Sequence, residues 1–173
     1  MKGVRIINSI FKRRSVRSYL NKEVKTEKIE KLLRAGMQAP SAMNCQPWEF
    51  IVVSGKENLQ ELSKVSKFGL AIEKANKAII VLFNKNKSIM QKYWQQDLGA
   101  ATQNILLEAV ELNLGSLWVG VAPDTSKIEY IQKIYKLDEN LIPFNVIAIG
   151  YLEKEDDNFF IDRYDEKKVK YII

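Results

Sequence analysis

The sequence predicts a domain that contains both helices and strands. Segments with apolar residues at helical spacing alternate with short runs rich in β-branched residues, and the longest helical pattern covers residues 93–114. Of the 173 residues, 46% are hydrophobic, which is enough to form a core. The length fits one domain over residues 1–173. We therefore expect a folded, single-domain protein of mixed secondary structure.

The first part of the chain predicts two helices, an irregular loop and a strand. Residues 4–11 have apolar side chains at helical spacing, and Thr26 is predicted to be the N-cap of a second helix that ends before Pro40. A loop then leads to residues 49–54, which are rich in β-branched side chains and predict a strand. The basic stretch between the two helices is therefore expected to follow a helix end.

The middle of the chain predicts a surface helix, a buried strand and a long helix. Residues 56–68 predict the surface helix, closed by Gly69, and residues 78–83 predict a strand buried on both faces because every residue is apolar. The helix at residues 93–114 has a wide apolar face and is predicted to end with Gly115 as its C′ residue. Such a helix is expected at the centre of a domain or at a dimer interface.

The last third of the chain predicts two strands separated by a helix, and then an irregular tail. The strands are predicted at residues 117–121 and 145–151, and the helix at residues 126–135. Residues 153–158 are acidic and predict a loop. The alternation at residues 169–173 predicts a strand-like terminus, which needs a partner because a free strand edge invites pairing.

The composition excludes several kinds of active site. The chain has 27 basic and 21 acidic residues, a net charge of +6, which favours anionic ligands without choosing among them. It has no histidine, which excludes Ser-His-Asp and Cys-His catalysis, histidine-ligated zinc and imidazole acid–base chemistry. If the protein is an enzyme, we expect a cofactor to carry the chemistry, and we predict no metal site.

Cysteine content and hydropathy indicate the compartment. Cys45 is the single cysteine, which excludes an intramolecular disulfide and fits a reducing environment. The longest strongly apolar run, at residues 78–83, is too short to cross a bilayer. We therefore expect a soluble cytoplasmic protein with no membrane partner.

A basic stretch at residues 13–17 is the first candidate binding site. In an extended segment, Arg13, Ser15 and Arg17 point to one side, where guanidinium forks and a hydroxyl can bind a phosphate together. A short run of charges is more commonly a solvated surface, and these residues alone favour that interpretation.

Other polar segments lie at the ends of predicted elements, where ligands are often bound. They are residues 40–46, residues 118–120 and the pair Asp162 and Arg163. Each has a purely structural interpretation, such as a tight connector whose side chains satisfy their own turn. Taken one at a time, the structural interpretations are favoured.

Taken together, these segments resemble the nitroreductase family of FMN-dependent oxidoreductases over nearly the whole chain. The resemblance lies in five motifs in register: Arg-Arg-Ser-Val-Arg at residues 13–17, Pro-Ser-x-x-Asn-x-Gln-Pro-Trp at 40–48, Asp-Leu-Gly-Ala-Ala-Thr-Gln-Asn at 97–104, Gly-Ser-Leu-Trp-Val-Gly at 115–120, and Ile-Ala-Ile-Gly-Tyr at 147–151. The second motif is the most specific.

The resemblance implies a set of FMN-binding residues. Arg13 and Ser15 match residues near the phosphate, Arg14 matches a position at the ribityl or phosphate end, and Arg163 matches a late basic residue on the phosphate. The family often has a second basic residue two positions before Arg163, where this chain has Ile161. That departure bears on phosphate affinity and leaves the cofactor unchanged.

The resemblance also implies contacts to the flavin ring. Arg17 matches a residue at the O2/N1 edge, where reduction places negative charge that a guanidinium stabilises. The main chain over the ring near N5 matches Trp118, Val119 and Gly120. The loop that reaches the FMN from the other subunit matches Pro40, Ser41, Ala42, Met43 and Asn44. Hydride transfer to N5 implies no catalytic side chain.

The family's fold and activity are the further implications. They are an α+β fold with a mixed, mainly antiparallel sheet flanked by helices, and an intertwined homodimer that exchanges its C-terminal segments. The implied activity takes hydride from NADH or NADPH and reduces nitroaromatics, quinones or related acceptors in ping-pong fashion. This short chain is also expected to have an open cleft.

Three alternatives remain open at this stage. The first is a flavin-dependent dehydrogenase or dehalogenase with a specific substrate, because one fold hosts several chemistries. The second is a flavin-binding protein without turnover. The third is a nucleic-acid-binding module, which the sequence disfavours because its aromatics are not interleaved with its basic residues and no nucleic-acid motif is present.

Overall fold

A computed structural model of the chain describes residues 8–154 and 159–172. The helices are α1 (Asn8–Lys12), α2 (Thr26–Met37), α3 (Lys56–Ser63), α4 (Leu70–Glu73), α5 (Trp94–Glu111) and α6 (Thr125–Tyr135). The strands are β1 (Tyr19–Leu20), β2 (Trp48–Ser54), β3 (Lys77–Asn84), β4 (Leu114–Gly120) and β5 (Leu141–Leu152). Short 3-10 turns lie at Ala42–Asn44, Lys85–Lys87, Gln91–Tyr93 and Glu166–Lys168.

The strands form one sheet around β5. This 12-residue strand pairs antiparallel with β3, β4 and the short β1, and β2 pairs antiparallel with β3. One isolated parallel bridge, between Ser15 and Ser116, adds the chain before β1 to the edge of β4. The sheet is mainly antiparallel and is flanked by helices, which confirms the predicted α+β fold.

The two faces of the sheet support two hydrophobic cores because successive side chains of a strand point to opposite faces. In β3, Ala78, Ile80 and Leu82 belong to one core, and Ile79, Val81 and Phe83 belong to the other. Helices α3, α4 and α6 cover the first face, and α2 and α5 cover the second. The prediction of a strand buried on both faces is therefore confirmed.

The long helix α5 explains the widest apolar pattern in the sequence. Its buried residues face the sheet on one side and α2 on another. Gly115 does not end this helix, contrary to the sequence prediction. The helix stops at Glu111, and Asn113 takes the left-handed conformation at φ 54° that usually favours glycine. Gly115 lies inside β4 instead.

Three other boundaries differ from the sequence predictions. Lys25, not Thr26, is the N-cap of α2, and it makes no capping side-chain bond. The predicted helix at residues 56–68 ends at Ser63, and Gly69 begins α4 instead of closing a helix. The described part of the C-terminal tail, residues 159–172, contains no strand within this chain. Residues 4–7 of the first predicted helix, residues 155–158 of the acidic loop and residue 173 of the predicted terminal strand lie outside the described residues.

The described residues contain neither a membrane-spanning helix nor a metal-binding cluster of side chains. No helix in residues 8–154 or 159–172 is long and apolar enough to cross a membrane. In the same ranges, no group of three or more Cys, Asp or Glu side chains is arranged to hold a metal ion.

Candidate functional site

The basic stretch lies against the edge of β4 through its backbone. The amide of Val16 donates to the carbonyl of Ser116 at 3.0 Å, next to the Ser15–Ser116 bridge. The buried Val16 side chain packs where Gly115 has none, because a Cβ there would lie 2.8 Å from Val16 Cγ1. Gly115 therefore allows residues 13–17, which we call the arginine segment, to approach the sheet closely.

A cleft of about 440 Å³ lies over this segment. It is lined by Arg13, Arg14, Ser15, Val16, Arg17, Ser18, Phe159 and Arg163. The fold thus brings Arg163 from the C-terminal tail to the N-terminal arginines. The family resemblance implies a shared ligand for these residues. We call this site the arginine cleft.

The arginine cleft is electropositive. Within the described residues, the guanidiniums of Arg13, Arg17 and Arg163 make no ion pair with a carboxylate. Burial lowers the pKa of Arg14, and the positive charges of Arg163 and Arg13 lower it further. The cations are therefore close enough to repel one another, and an anion between them would relieve that repulsion.

Two of the arginines are held by carbonyl groups of their own segment. Arg14 Nη1 donates to the carbonyls of Phe11 at 3.1 Å and Arg13 at 2.6 Å. Arg17 Nη1 donates to the Ser15 carbonyl at 3.0 Å. These bonds restrain the Arg14 and Arg17 side chains against the backbone of the segment that lines the cleft.

The segment Trp118–Gly120 continues β4 beyond the bridge. Trp118 remains 36% exposed, and its ring meets the edge of the Phe144 ring at 5.5 Å between centroids. Val119 is buried in the core, and a Cβ on Gly120 would meet no atom within 4 Å. This strand end therefore presents an open main-chain surface two to four residues beyond Ser116.

The loop at residues 40–44 forms a different cleft, of about 380 Å³. Its walls are Pro40, Ser41 and Ala42 from the loop, with Tyr93, Gln96, Asp97 and Ala100 from the start of α5. None of these residues lines the arginine cleft. One chain therefore does not bring the two predicted parts of the cofactor site together.

The loop at residues 40–44 has an uncommon backbone that other groups hold in place. Met43, Asn44 and Gln46 all have positive φ, which residues other than glycine adopt at a cost. Asp97 Oδ1 accepts a hydrogen bond from the Ala42 amide at 2.9 Å, and Ser41 Oγ accepts one from the Gln46 amide at 2.9 Å. The strained loop is therefore anchored to α5.

Asp97 is a site residue to which the sequence analysis assigned no role. It is 5% exposed, and its Oδ2 has no hydrogen-bond partner among the described atoms. Its place in the first turn of the long apolar helix is visible in the sequence, but acidic residues are common there, and its burial and its bond to Ala42 are not visible.

The sheet, its flanking helices and the arginine cleft define an α+β protein with a basic ligand site beside an edge strand. A sequence profile of the Nitroreductase family matches residues 10–151, which is most of the chain. The chain belongs to the nitroreductase family, as its motifs predicted.

Several relatives support this assignment. The chain is 40% identical over 172 residues to a protein of Archaeoglobus fulgidus provisionally named NADH dehydrogenase/NAD(P)H nitroreductase, covering 94% of this chain and 97% of that one. A crystal structure of a provisionally named NADH oxidase from Clostridium acetobutylicum has a TM-score of 0.91 and 46% identity, covering 94% and 97% of the two chains. A provisionally named nitroreductase from Desulfovibrio desulfuricans, solved in complex with FMN, has a TM-score of 0.84 and 26% identity, covering 99% of each chain.

Proposed function

We propose that this protein is an FMN-dependent oxidoreductase that takes hydride from NADH or NADPH and reduces nitroaromatics, quinones or related acceptors by a ping-pong mechanism. The observation that carries the proposal is the arginine cleft. It gathers guanidiniums from both ends of the chain beside a strand edge. The names of the A. fulgidus and C. acetobutylicum relatives support the nicotinamide donor, and the FMN complex of the D. desulfuricans relative supports the cofactor.

The residues of the arginine cleft fit the phosphate of FMN. A phosphate dianion needs charge-assisted donors, and Arg13, Arg163 and the exposed Ser15 hydroxyl line the same space. No described carboxylate pairs with Arg13 or Arg163, so their charges are available to the ligand. Arg14, which is bound to backbone carbonyls, shapes the ribityl or phosphate end.

The ring of the flavin would extend from this cleft along β4. Arg17 would stand at its O2/N1 edge, and the main chain of residues 118–120 would lie near N5. When bound, the flavin supplies the hydride chemistry, accepting two electrons from the nicotinamide and passing them to the acceptor. The side chains of this protein bind and orient it, and none is needed as an acid or base, which is consistent with the absence of histidine.

We propose that a second subunit completes the site in a cytoplasmic homodimer. Pro40, Ser41 and Ala42 line a cleft apart from the arginine cleft in one chain, which supports the loop's acting on the partner's FMN. Val169, Tyr171 and Ile172 are exposed apolar side chains, and they support exchange of C-terminal segments between subunits.

An absorbance spectrum of the purified protein tests the function. We expect flavin bands, or their appearance after reconstitution with FMN, and anaerobic bleaching by NADH or NADPH. Flavin that stays oxidised with both nicotinamides would indicate a binding protein or another electron donor. Failure to bind FMN at all would contradict the proposal. Bleaching without reoxidation by nitroaromatics or quinones would indicate a dehydrogenase or dehalogenase with a specific substrate.

A further inference from the structure

Arg163 reaches the arginine cleft at the end of a short aromatic segment. Phe160 contacts Phe11 of α1 edge-on, with 5.5 Å between ring centroids and 63° between ring planes. The Phe159 ring lies under the Arg14 guanidinium, whose Cζ is 4.9 Å from the ring centroid. These are the aromatic contacts that tie the described tail to the N-terminal region, and they lie three and four residues before Arg163.

The tail needs such contacts because charge works against it. Arg163 lies close enough to Arg14 for its positive charge to lower the Arg14 pKa, so the two groups repel each other. The neighbouring carboxylate of Asp162 accepts a hydrogen bond from the Tyr164 amide at 2.9 Å, which turns the backbone around Arg163. No described carboxylate pairs with Arg163, so the packing contacts of its own segment contribute to holding it in place.

We propose that Phe159 and Phe160 are positioning residues that hold Arg163 in the arginine cleft. We call these two rings, with Arg14 and Phe11, the C-terminal latch. The inference extends the proposed function, since it assigns to the latch part of the affinity for the FMN phosphate. The latch itself is a property of the protein without ligand and is tested separately.

The latch is weak enough to respond to a ligand. Phe159 is 51% exposed and Phe160 is 57% exposed, so neither ring is locked into a core. A phosphate dianion between Arg13 and Arg163 would remove the repulsion that opens the latch. Phosphate binding and latch closure therefore stabilise the same arrangement, and each strengthens the other.

Trypsin cleavage after Arg163 measures latch opening without any flavin. We expect Phe160→Ala to speed this cleavage in the ligand-free protein by about two- to tenfold, the contribution of one aromatic pair. Phe68→Ala, which removes an exposed ring on the α3–α4 connection, is the matched control and should leave the rate of cleavage after Arg163 unchanged. Inorganic phosphate should slow cleavage of the unmodified protein more than chloride at equal ionic strength. Equal cleavage rates for Phe160→Ala and the unmodified protein would overturn the latch.

A comparison of FMN with riboflavin, which lacks the phosphate, tests the link to the cofactor. We expect Phe160→Ala to weaken FMN binding by about two- to tenfold and to leave riboflavin binding unchanged. In an Arg163→Ala background, Phe160→Ala should have no further effect, because the ring acts through that arginine. Equal losses for both flavins, or additive effects of the two substitutions, would overturn the positioning role.

The two experiments separate the inference from the proposed function. A protein that binds neither flavin contradicts the FMN proposal, and the trypsin experiment still decides whether the latch exists. A protein that binds FMN normally but shows no effect of Phe160→Ala contradicts the latch alone. Circular dichroism of each variant checks that the fold is retained.

Discussion

The arginine cleft and the loop at residues 40–44 are assembled in different ways. The cleft combines residues from both ends of the chain, because the arginine segment lies along β4 and the tail folds back to it. The loop contacts the start of α5 and shares no lining residue with the cleft. One chain therefore gathers the arginines in one cleft and holds the loop at another. The second subunit that we propose would bring the two parts of the site together.

The two regions also differ in how their backbones are restrained. The arginine segment is held by its backbone contacts with Ser116 in β4, and Gly115 leaves room for the Val16 side chain beside them. The loop has three residues with positive φ and depends on hydrogen bonds to Asp97 and Ser41. Substitutions in the two regions should therefore destabilise the protein by different mechanisms. In the arginine segment they should disrupt packing against the sheet, and in the loop they should remove the hydrogen bonds that hold its backbone.

The largest effect is expected for Arg13→Ala in the cleft. Loss of a charge-assisted bond to the phosphate should weaken FMN binding by about 1.5–3 kcal/mol, with the fold and the dimer intact. Arg34→Ala, which removes an exposed guanidinium from α2, is the control and should bind FMN normally. A fluorescence titration with FMN measures both, and unchanged affinity for Arg13→Ala would remove that residue from the phosphate site.

Packing beneath the cleft is tested by Gly115→Val. A side chain there would lie 2.8–2.9 Å from Val16 and Leu152, so we expect overpacking to cost about 1–3 kcal/mol of unfolding free energy. The displaced arginine segment should also bind FMN less tightly. Gly99→Ala in α5 is the control, because a Cβ there would meet nothing within 4 Å. Urea denaturation measures the difference, and equal stability of the two variants would argue against close approach as the reason for glycine.

The anchor of the loop is tested by Asp97→Ala. Loss of the acceptor for the Ala42 amide should cost about 1 kcal/mol of unfolding free energy. It should also reduce FMN affinity, provided that the loop acts on a partner's cofactor. Asp97→Asn keeps an oxygen for the Ala42 amide and should retain more of both properties. A result in which the two variants behave alike would show that the hydrogen bond is not what matters at this position.

The smallest effect is expected at Glu49, which follows the loop in β2. A hydrogen bond from Asn84 and then one from Lys87 lower the pKa of Glu49. Its ionised form therefore stabilises the folded state above its ordinary pKa of 4.5, and that contribution is lost as the pH falls through the lowered value. Because the side chain is partly exposed, we expect less than about 1 kcal/mol. Denaturation of the unmodified protein and Glu49→Gln should differ at pH 7 and converge at low pH, and a constant difference would contradict this origin.

Much of the fold followed from local patterns in the sequence. The hydrophobic pattern of the sequence predicts both the buried strand β3 and the long helix α5. Both elements are buried as predicted, β3 between the two cores and α5 against the second. Most of the wrong predictions concern the ends of helices, where the conformation depends on contacts with distant parts of the chain. Gly115 looked like a helix stop because glycine favours such positions, but Asn113 takes that conformation and Gly115 accommodates Val16 instead.

The candidate site was predictable only in part. The arginine stretch could be recognised as a possible anion site, and its convergence with Arg163 rested on the family resemblance. No local pattern reveals that Arg14 would be bound to backbone carbonyls or that Asp97 would anchor the loop. The role of Asp97 depends on a hydrogen bond to a residue 55 positions earlier in the chain. The role of Arg14 depends on how the local backbone turns its carbonyl groups toward the side chain.

A crystal structure of the protein grown with FMN would show directly where the phosphate and the ring bind. We expect the phosphate between Arg13 and Arg163 with Ser15 beside it, the ring along residues 118–120, and residues 40–44 of a second copy against the same flavin. A phosphate bound away from the arginine cleft would contradict the proposed FMN site.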